Sequence, residues 1–286
     1  MSPPPAGGWP SPVWLNGDLV DASEARVSVF DHGLTVGDGI FETIKVLDGE
    51  PFAMTRHLRR LRLSALALGL ADGLPDGDRP LWQATQAVIR EGGPDVGRIR
   101  ITVTGGAGPL GSVRDDVPPT IVVAAGPPST WSATTEVVTV PWPRNERGAL
   151  AGVKSTSYAE NVVALARAAE AGASEAIFAN TVGALCEGTG TNVFVGVDGR
   201  LVTPTLSSGC LAGVTRALLL EVTDAVEEDV PLAALAGADE AFLTSTTRDV
   251  QPIAAVDGAP LPAAPGPLTT AAAEAFAALV ARDADP

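Results

Sequence analysis

Val153-Lys154-Ser155-Thr156-Ser157-Tyr158 is the stretch from which the fold is read. It joins a strand-like segment to an apolar-faced helix expected from about Tyr158 to Ala171. The lysine in it is conspicuous. Of the 19 lysines and arginines among 286 residues, only Lys45 and Lys154 are lysine. A guanidinium stays protonated and forms no imine, whereas a desolvated lysine loses its proton and does so. A chain that otherwise meets its need for positive charge with arginine must have a reason for Lys154.

Downstream, strand signals run from Glu175 to Thr203, punctuated by turns at Asn180–Gly183 and Asp198-Gly199. A helix is expected to begin near Gly213-Val214-Thr215. Short strands follow around Val226–Val230, Glu240–Thr244 and Val250–Ala255, and a last helix covers Leu268–Ala281. Upstream, Val13-Trp14-Leu15 turns at Asn16-Gly17 into Leu19-Val20. Gly37-Asp38-Gly39 opens a hairpin, Ile40–Leu47 and Pro51–Met54, broken at Asp48-Gly49. Thr55 is expected to cap a helix from Arg56 to about Leu70, with Leu58, Leu61, Ala65 and Leu68 on one face. His57, Arg60 and Ser64 share a neighbouring face. A second helix is expected over Arg79–Arg90. Arg98–Thr104 alternates as a half-buried strand, with Ile99, Ile101 and Val103 on one side. The loop Gly105–Pro109 and the strand Thr120–Ala125 lead to Gly126-Pro127-Pro128-Ser129, a Pro/Gly break suited to a linker. The expected organisation is a flexible tail over 1–12, a small α/β domain over 13–125, a linker over 126–134 and a larger domain over 135–286. Helices alternating with strands indicate an α/β or α+β fold.

The formal charge of −15, with no basic cluster, argues against nucleic acid as a partner. No apolar run reaches the roughly 18 residues of a membrane span. Met1–Pro12 lacks the basic and apolar regions of a signal peptide, so the expected compartment is the cytoplasm. Two cysteines, Cys186 and Cys210, and two histidines, His32 and His57, are too few and too scattered for a zinc site, so no metal is expected. The cysteines read as buried free thiols.

Five segments carry a resemblance: Gly37–Thr43, His57-Leu58-Arg59-Arg60-Leu61, the Lys154 stretch, Cys186–Phe194 and Leu211–Arg216. In this order, from Val13 to Ile253, they resemble the fold-type IV pyridoxal-phosphate family of class IV aminotransferases. Its members include branched-chain and D-amino acid aminotransferases and aminodeoxychorismate lyases. The resemblance implies a small N-terminal α/β domain, a larger C-terminal domain, pyridoxal 5'-phosphate between them, and a homodimer in which a loop of one subunit closes the other's site. It implies that Lys154 carries the cofactor and then moves protons as general base and acid. Glu187 is implied to pair with the pyridine nitrogen, keeping it protonated. Arg60, the helix-start N–H groups of Val214 and Thr215, and Thr246 are implied to meet the phosphate. Tyr158 is implied to lie near the ring hydroxyl.

The resemblance leaves the reaction open. Gly-Asp-Gly followed by Phe41-Glu42-Thr43 looks more like the lyases, which expel pyruvate from aminodeoxychorismate and leave 4-aminobenzoate, a folate precursor. The D-amino acid enzymes place a substrate-holding arginine directly after the central strand, where this chain has Gly105. Arg100 and Arg114 are the candidates for a substrate cation. Lyase is the first expectation, and a transaminase acting on D- or branched-chain amino acids is the alternative. A non-catalytic binding protein is a third reading, weakened by the presence of both Lys154 and Glu187.

Overall fold

The alternation along Arg98–Thr104 sets up the first sheet, because it buries Ile99, Ile101 and Val103 on one face. The protein's computed structural model describes residues 12–286, so the expected tail lies, apart from Pro12, outside the described residues. Within them the chain forms two compact units. The first runs to Ser129 and includes Val153–Ser157 and Asp285; the second holds 130–152 and the rest of the chain from Tyr158.

The first unit contains β1 (Val13–Leu15), β2 (Asp18–Val20), α1 (His32–Thr35), β3 (Gly39–Leu47), β4 (Glu50–Pro51), α2 (Met54–Leu68), α3 (Arg79–Gly92), β5 (Arg98–Thr104) and β6 (Thr120–Gly126). Its sheet has the order β2-β1-β6-β5-β3-β4, with antiparallel neighbours. Ile40 and Ile44 of β3 join Ile99, Ile101 and Val103 in a core closed by Leu58, Leu61 and Ala65 of α2 and Leu81, Val88 and Ile89 of α3. Thr55 is not the cap of α2. The cap position is Ala53, in a left-handed conformation (φ 53°) with no side-chain cap. Thr55 lies inside the first turn, and its backbone N–H and hydroxyl both donate to the carboxylate of Asp285.

The second unit contains β7 (Thr135–Thr139), α4 (Ala159–Glu170), β8 (Glu175–Ala179), β9 (Leu185–Gly188), β10 (Asn192–Val197), β11 (Arg200–Thr203), α5 (Val214–Val222), β12 (Val226–Glu227), α6 (Ala233–Ala236), β13 (Glu240–Ser245), β14 (Asp249–Val256), β15 (Ala259–Pro260) and α7 (Pro267–Arg282). Its strand order is β12-β11-β10-β13-β14-β7-β8-β9, with β15 added to β14. Parallel pairs (β14 with β7, β7 with β8, β11 with β12) mix with antiparallel ones. The molecule is thus a mixed α/β protein with two sheets. Among the described residues no helix is long and apolar enough to cross a membrane.

Phe194 and Phe242 face each other across β10 and β13, fully buried, with ring centroids 4.9 Å apart and planes within 8°. Phe242→Ala is expected to cost about 3–5 kcal/mol, as other large-to-small aromatic truncations in cores do. Urea denaturation would show this as a lower midpoint with an unchanged slope.

Candidate active site

Lys154 is held by backbone pairing. One edge of β3 runs along β5, while on the other edge β4 covers only Val46 and Leu47. Residues 153–157 take up the uncovered start of that second edge. Phe41 N–H donates to the carbonyl of Lys154 (3.0 Å), and Thr156 N–H donates to that of Gly39 (2.7 Å). The hydroxyls of Thr156 and Ser157 both reach the carbonyl of Gly37. Lys154 N–H points to the Ser64 hydroxyl of α2 at 3.3 Å. Sequence reading assigns these residues to the larger domain, but they pack with the first unit because their partners are β3 and α2.

Beside Lys154 lies a buried charge cluster. Strand alternation turns Glu42 toward α2 with Ile40 and Ile44, and helical spacing brings His57, Arg60 and Ser64 to one side. Arg60 donates from Nε and Nη2 to both Glu42 oxygens, at 2.7 and 2.6 Å. Nδ1 of His57 lies 2.8 Å from Glu42 Oε2. Burial by itself would raise the Glu42 carboxyl, but the charge and hydrogen bonds of Arg60, with those of His57, hold it at about 2. Burial lowers His57 below its ordinary value, against the pull of Glu42, so the imidazole is neutral at neutral pH.

The ring of Phe41 carries two cations. The ammonium of Lys154 is 4.4 Å from its centroid, and the guanidinium carbon of Arg100 is 3.6 Å away. Arg100 is exposed on β5, and its Nε donates to the hydroxyl of Thr102 on the same strand. Arg114 is engaged elsewhere. It grips both oxygens of Asp38 and donates to the carbonyls of Leu68 and Gly69. Gly105 lies against this clasp, and a Cβ at that position would run into the Asp38 carboxylate.

In the second unit Glu187 stands on β9 opposite Phe178 of β8. Its Oε2 accepts from Leu211 N–H at 2.8 Å, and its Oε1 lies 3.2 Å from Nε of Arg144. Asn192 holds the same loop, donating from Nδ2 to the carbonyl of Leu211 at 2.9 Å. The loop then enters α5 through Gly213, which approaches Asn192 too closely for a side chain. Val214 and Thr215 form the buried first turn of α5, which has no side-chain cap. Thr244, across from Asn192 on β13, is buried, and its hydroxyl has no partner among the described residues. Thr246 follows in the half-buried turn after β13, and Tyr158 directly precedes α4, also half-buried. Cys186 and Cys210 are buried free thiols, both raised by burial, Cys210 to about 11.

Sequence reading misses the roles of Glu42, Asp38, Arg144 and Asn192. Only Glu42 leaves a signal, as a carboxylate on the apolar face of an alternating strand.

Glu42→Gln is expected to destabilise the protein by about 3–5 kcal/mol, the cost of breaking a buried ion pair from one side. The pH dependence has a defined sign. Glu42 is held at about 2 against an ordinary 4.5, so its contribution is complete above 4.5 and is lost as pH falls toward 2. His57, lowered from 6.5, adds a loss that sets in below that value. Urea titrations across the acid range should show stability falling with pH in the wild type. In Glu42→Gln the lower part of the fall should flatten.

The chain is similar to known proteins over most of its length. A family model for class IV amino-transferases matches residues 39–256. A putative branched-chain-amino-acid aminotransferase of Methanocaldococcus jannaschii is 35 % identical over 255 residues, covering 86 % of this chain and 88 % of the relative. A D-alanine aminotransferase of Bacillus licheniformis is 30 % identical over 274 residues, covering 90 % and 93 %. The crystal structure of the branched-chain aminotransferase of Thermoproteus uzoniensis with norvaline superposes with a TM-score of 0.85. It is 29 % identical and covers 94 % of this chain and 94 % of that one. The chain belongs to the class IV aminotransferases, the fold-type IV enzymes that work with pyridoxal 5'-phosphate.

Proposed function

We propose that the protein is a transaminase that moves the amino group of an apolar, branched-chain L-amino acid to a keto-acid acceptor. The observation that carries this reading is Gly105. The D-amino acid enzymes hold the substrate carboxylate with an arginine at that place. Here a side chain at 105 would have to displace Asp38 from Arg114. The names carried by the relatives support a transaminase ahead of the lyase that sequence reading puts first. The lyase-like Phe41-Glu42-Thr43 loses weight as well, because Glu42 is turned into α2 and spent on Arg60 and His57.

The donor set fits pyridoxal phosphate. The first turn of α5 is uncapped by any side chain, and the buried Thr244 hydroxyl lacks a partner among the described residues. When bound, the cofactor supplies an electrophilic carbon and an electron-withdrawing ring that acidify the substrate's α-proton. Lys154 would hold it covalently, and its Nζ would take the α-proton and return it. Arg60 would meet the phosphate, its orientation fixed by Glu42, which occupies two of its five N–H donors. Val214 and Thr215 offer backbone N–H groups, and Thr246 a hydroxyl, to the same phosphate. Glu187 would pair with the ring nitrogen, and Tyr158 would meet the ring hydroxyl. Of the two candidate substrate cations, Arg100 takes the role and Arg114 does not, since Asp38 already neutralises it. Arg100 and Lys154 both lie against the ring of Phe41, which is the observation that favours Arg100 for this role.

With pyridoxal phosphate and 2-oxoglutarate, leucine, isoleucine or valine should turn over at least about tenfold faster than D-alanine. Aminodeoxychorismate should give no 4-aminobenzoate in the absence of an acceptor. Preference for D-alanine, or acceptor-free 4-aminobenzoate, would overturn the reading. Lys154→Ala should lose the visible absorbance band and all turnover. Arg100→Met should raise KM about 10- to 100-fold, the equivalent of a charged hydrogen bond of about 1.5–3 kcal/mol, with a smaller change in kcat.

A further inference from the structure

We infer that Arg144 is a positioning residue for the reaction, holding Glu187 ionised and aimed without touching substrate itself. The inference rests on the reading of Glu187 as the partner of the cofactor's ring nitrogen.

Arg144 lies in the loop after β7, and its backbone is fixed beside β8: its N–H donates to the carbonyl of Ala179 at 2.7 Å. The guanidinium carbon lies 4.2 Å from the ring centroid of Phe178, the residue that pairs with Glu187 across the two strands. Nη1 donates to Glu160 and to Asn161 of α4, both at 2.8 Å. Asn161 is itself buried and donates to the carbonyl of Thr189, two residues beyond Glu187. The guanidinium is therefore gripped by a ring and two side chains, with its side chain only 17 % exposed.

Its relation to Glu187 is unusual. Nε is 3.2 Å from Oε1, yet the buried N–H is not aligned for a hydrogen bond. Arg144 thus lends Glu187 its charge without directing a hydrogen bond at it. Leu211 N–H fixes the other oxygen. A carboxylate that must face a protonated ring nitrogen needs this combination of one fixed oxygen and a nearby cation that favours the ionised form. Other titratable groups around it are Glu160, held on the far side of Arg144, and the thiols of Cys186 and Cys210, both raised by burial and so neutral.

The test uses the full chain with Arg144→Gln and Arg144→Lys, with Glu170→Gln, an exposed carboxylate of α4 paired with Arg167, as a control and Glu187→Gln as a reference. Arg144→Met keeps an apolar stem over Phe178 and replaces the glutamine variant if that one does not fold. Three quantities are read: pyridoxal-phosphate affinity by equilibrium dialysis, the pH profile of kcat, and the titration of the Glu187 carboxyl by 13C NMR in the cofactor-free protein. In the neutral variants affinity and kcat should each fall about 10- to 100-fold, the size seen when an outer partner of a site ligand is removed. The Glu187 titration and the acid limb of kcat should both move to higher pH. Arg144→Lys should restore most of the titration, and Glu170→Gln should match wild type. A folded neutral variant whose affinity, acid limb and Glu187 titration stay within twofold of wild type, or the equivalent in pH, overturns the inference. If instead Glu187→Gln itself binds the cofactor and turns over like wild type, the underlying reading of Glu187 fails.

Discussion

The edge of β3 between Gly39 and Phe41 constrains everything built around Lys154. Unpaired strand N–H and C=O groups must find partners, and β4 is too short to supply them. Residues 153–157 do so, and the lysine is thereby carried on a sheet instead of a free loop. The Gly37-Asp38-Gly39 turn makes the arrangement two-sided. Its carbonyls receive Thr156 and Ser157, while the Asp38 side chain is clamped by Arg114. A reactive amine held this way keeps its position while proton transfer occurs, which is what a catalytic group on a rigid element gains over one on a mobile loop.

The arginine bias follows from the same physics. The chain carries many carboxylates, and several that are partly or wholly buried meet an arginine: Glu42 with Arg60, Asp38 with Arg114, and Glu187 with Arg144. The planar guanidinium satisfies two carboxylate oxygens at once, as in the first two pairs, and keeps its charge when desolvated. Lysine would do neither. In the proposed chemistry the residue that loses a proton is lysine, while the buried carboxylates are met by arginines that keep theirs.

Local pattern makes most of the fold legible. The alternation over Arg98–Thr104 and the apolar stripe of α2 each describe a stretch of chain by itself, and for that strand the limits agree to the residue. Pairings across long separations are not legible in this way. Thr55 looks like a cap because threonine before a helix usually is one, yet a carboxylate 230 residues away takes both its donors. Arg114 reads as a solvent-facing substrate cation, and nothing near it in the chain announces Asp38, 76 residues earlier. The short helix at His32–Thr35 escapes sequence reading because its capping carboxylate, Asp31, also gathers hydroxyls from Thr104 and Thr120. Within the candidate site, sequence reading proposes Lys154, Glu187 and the start of α5 because the proposed chemistry restricts which residue types could do the work. The residues that hold them, Asn192 and Arg144, belong to types with many ordinary uses.

The buried trio of Glu42, His57 and Arg60 bears on the proposed chemistry through an energetic argument. Replacing a buried ion pair by apolar residues of similar volume often leaves a protein equally or more stable. Ile40 and Ile44, flanking Glu42 on the same face, show that this face otherwise takes apolar side chains. Stability alone therefore gives no reason for a carboxylate there. Orientation does. A bidentate carboxylate fixes the plane of the Arg60 guanidinium, which a hydrophobic wall cannot do, and His57 braces the carboxylate from its other side. A long, flexible side chain is thereby held in one pose before any anion arrives, so the entropy of ordering it is not charged against binding. The acid sensitivity of this unit is then a consequence of building an anion site in advance from ionised parts.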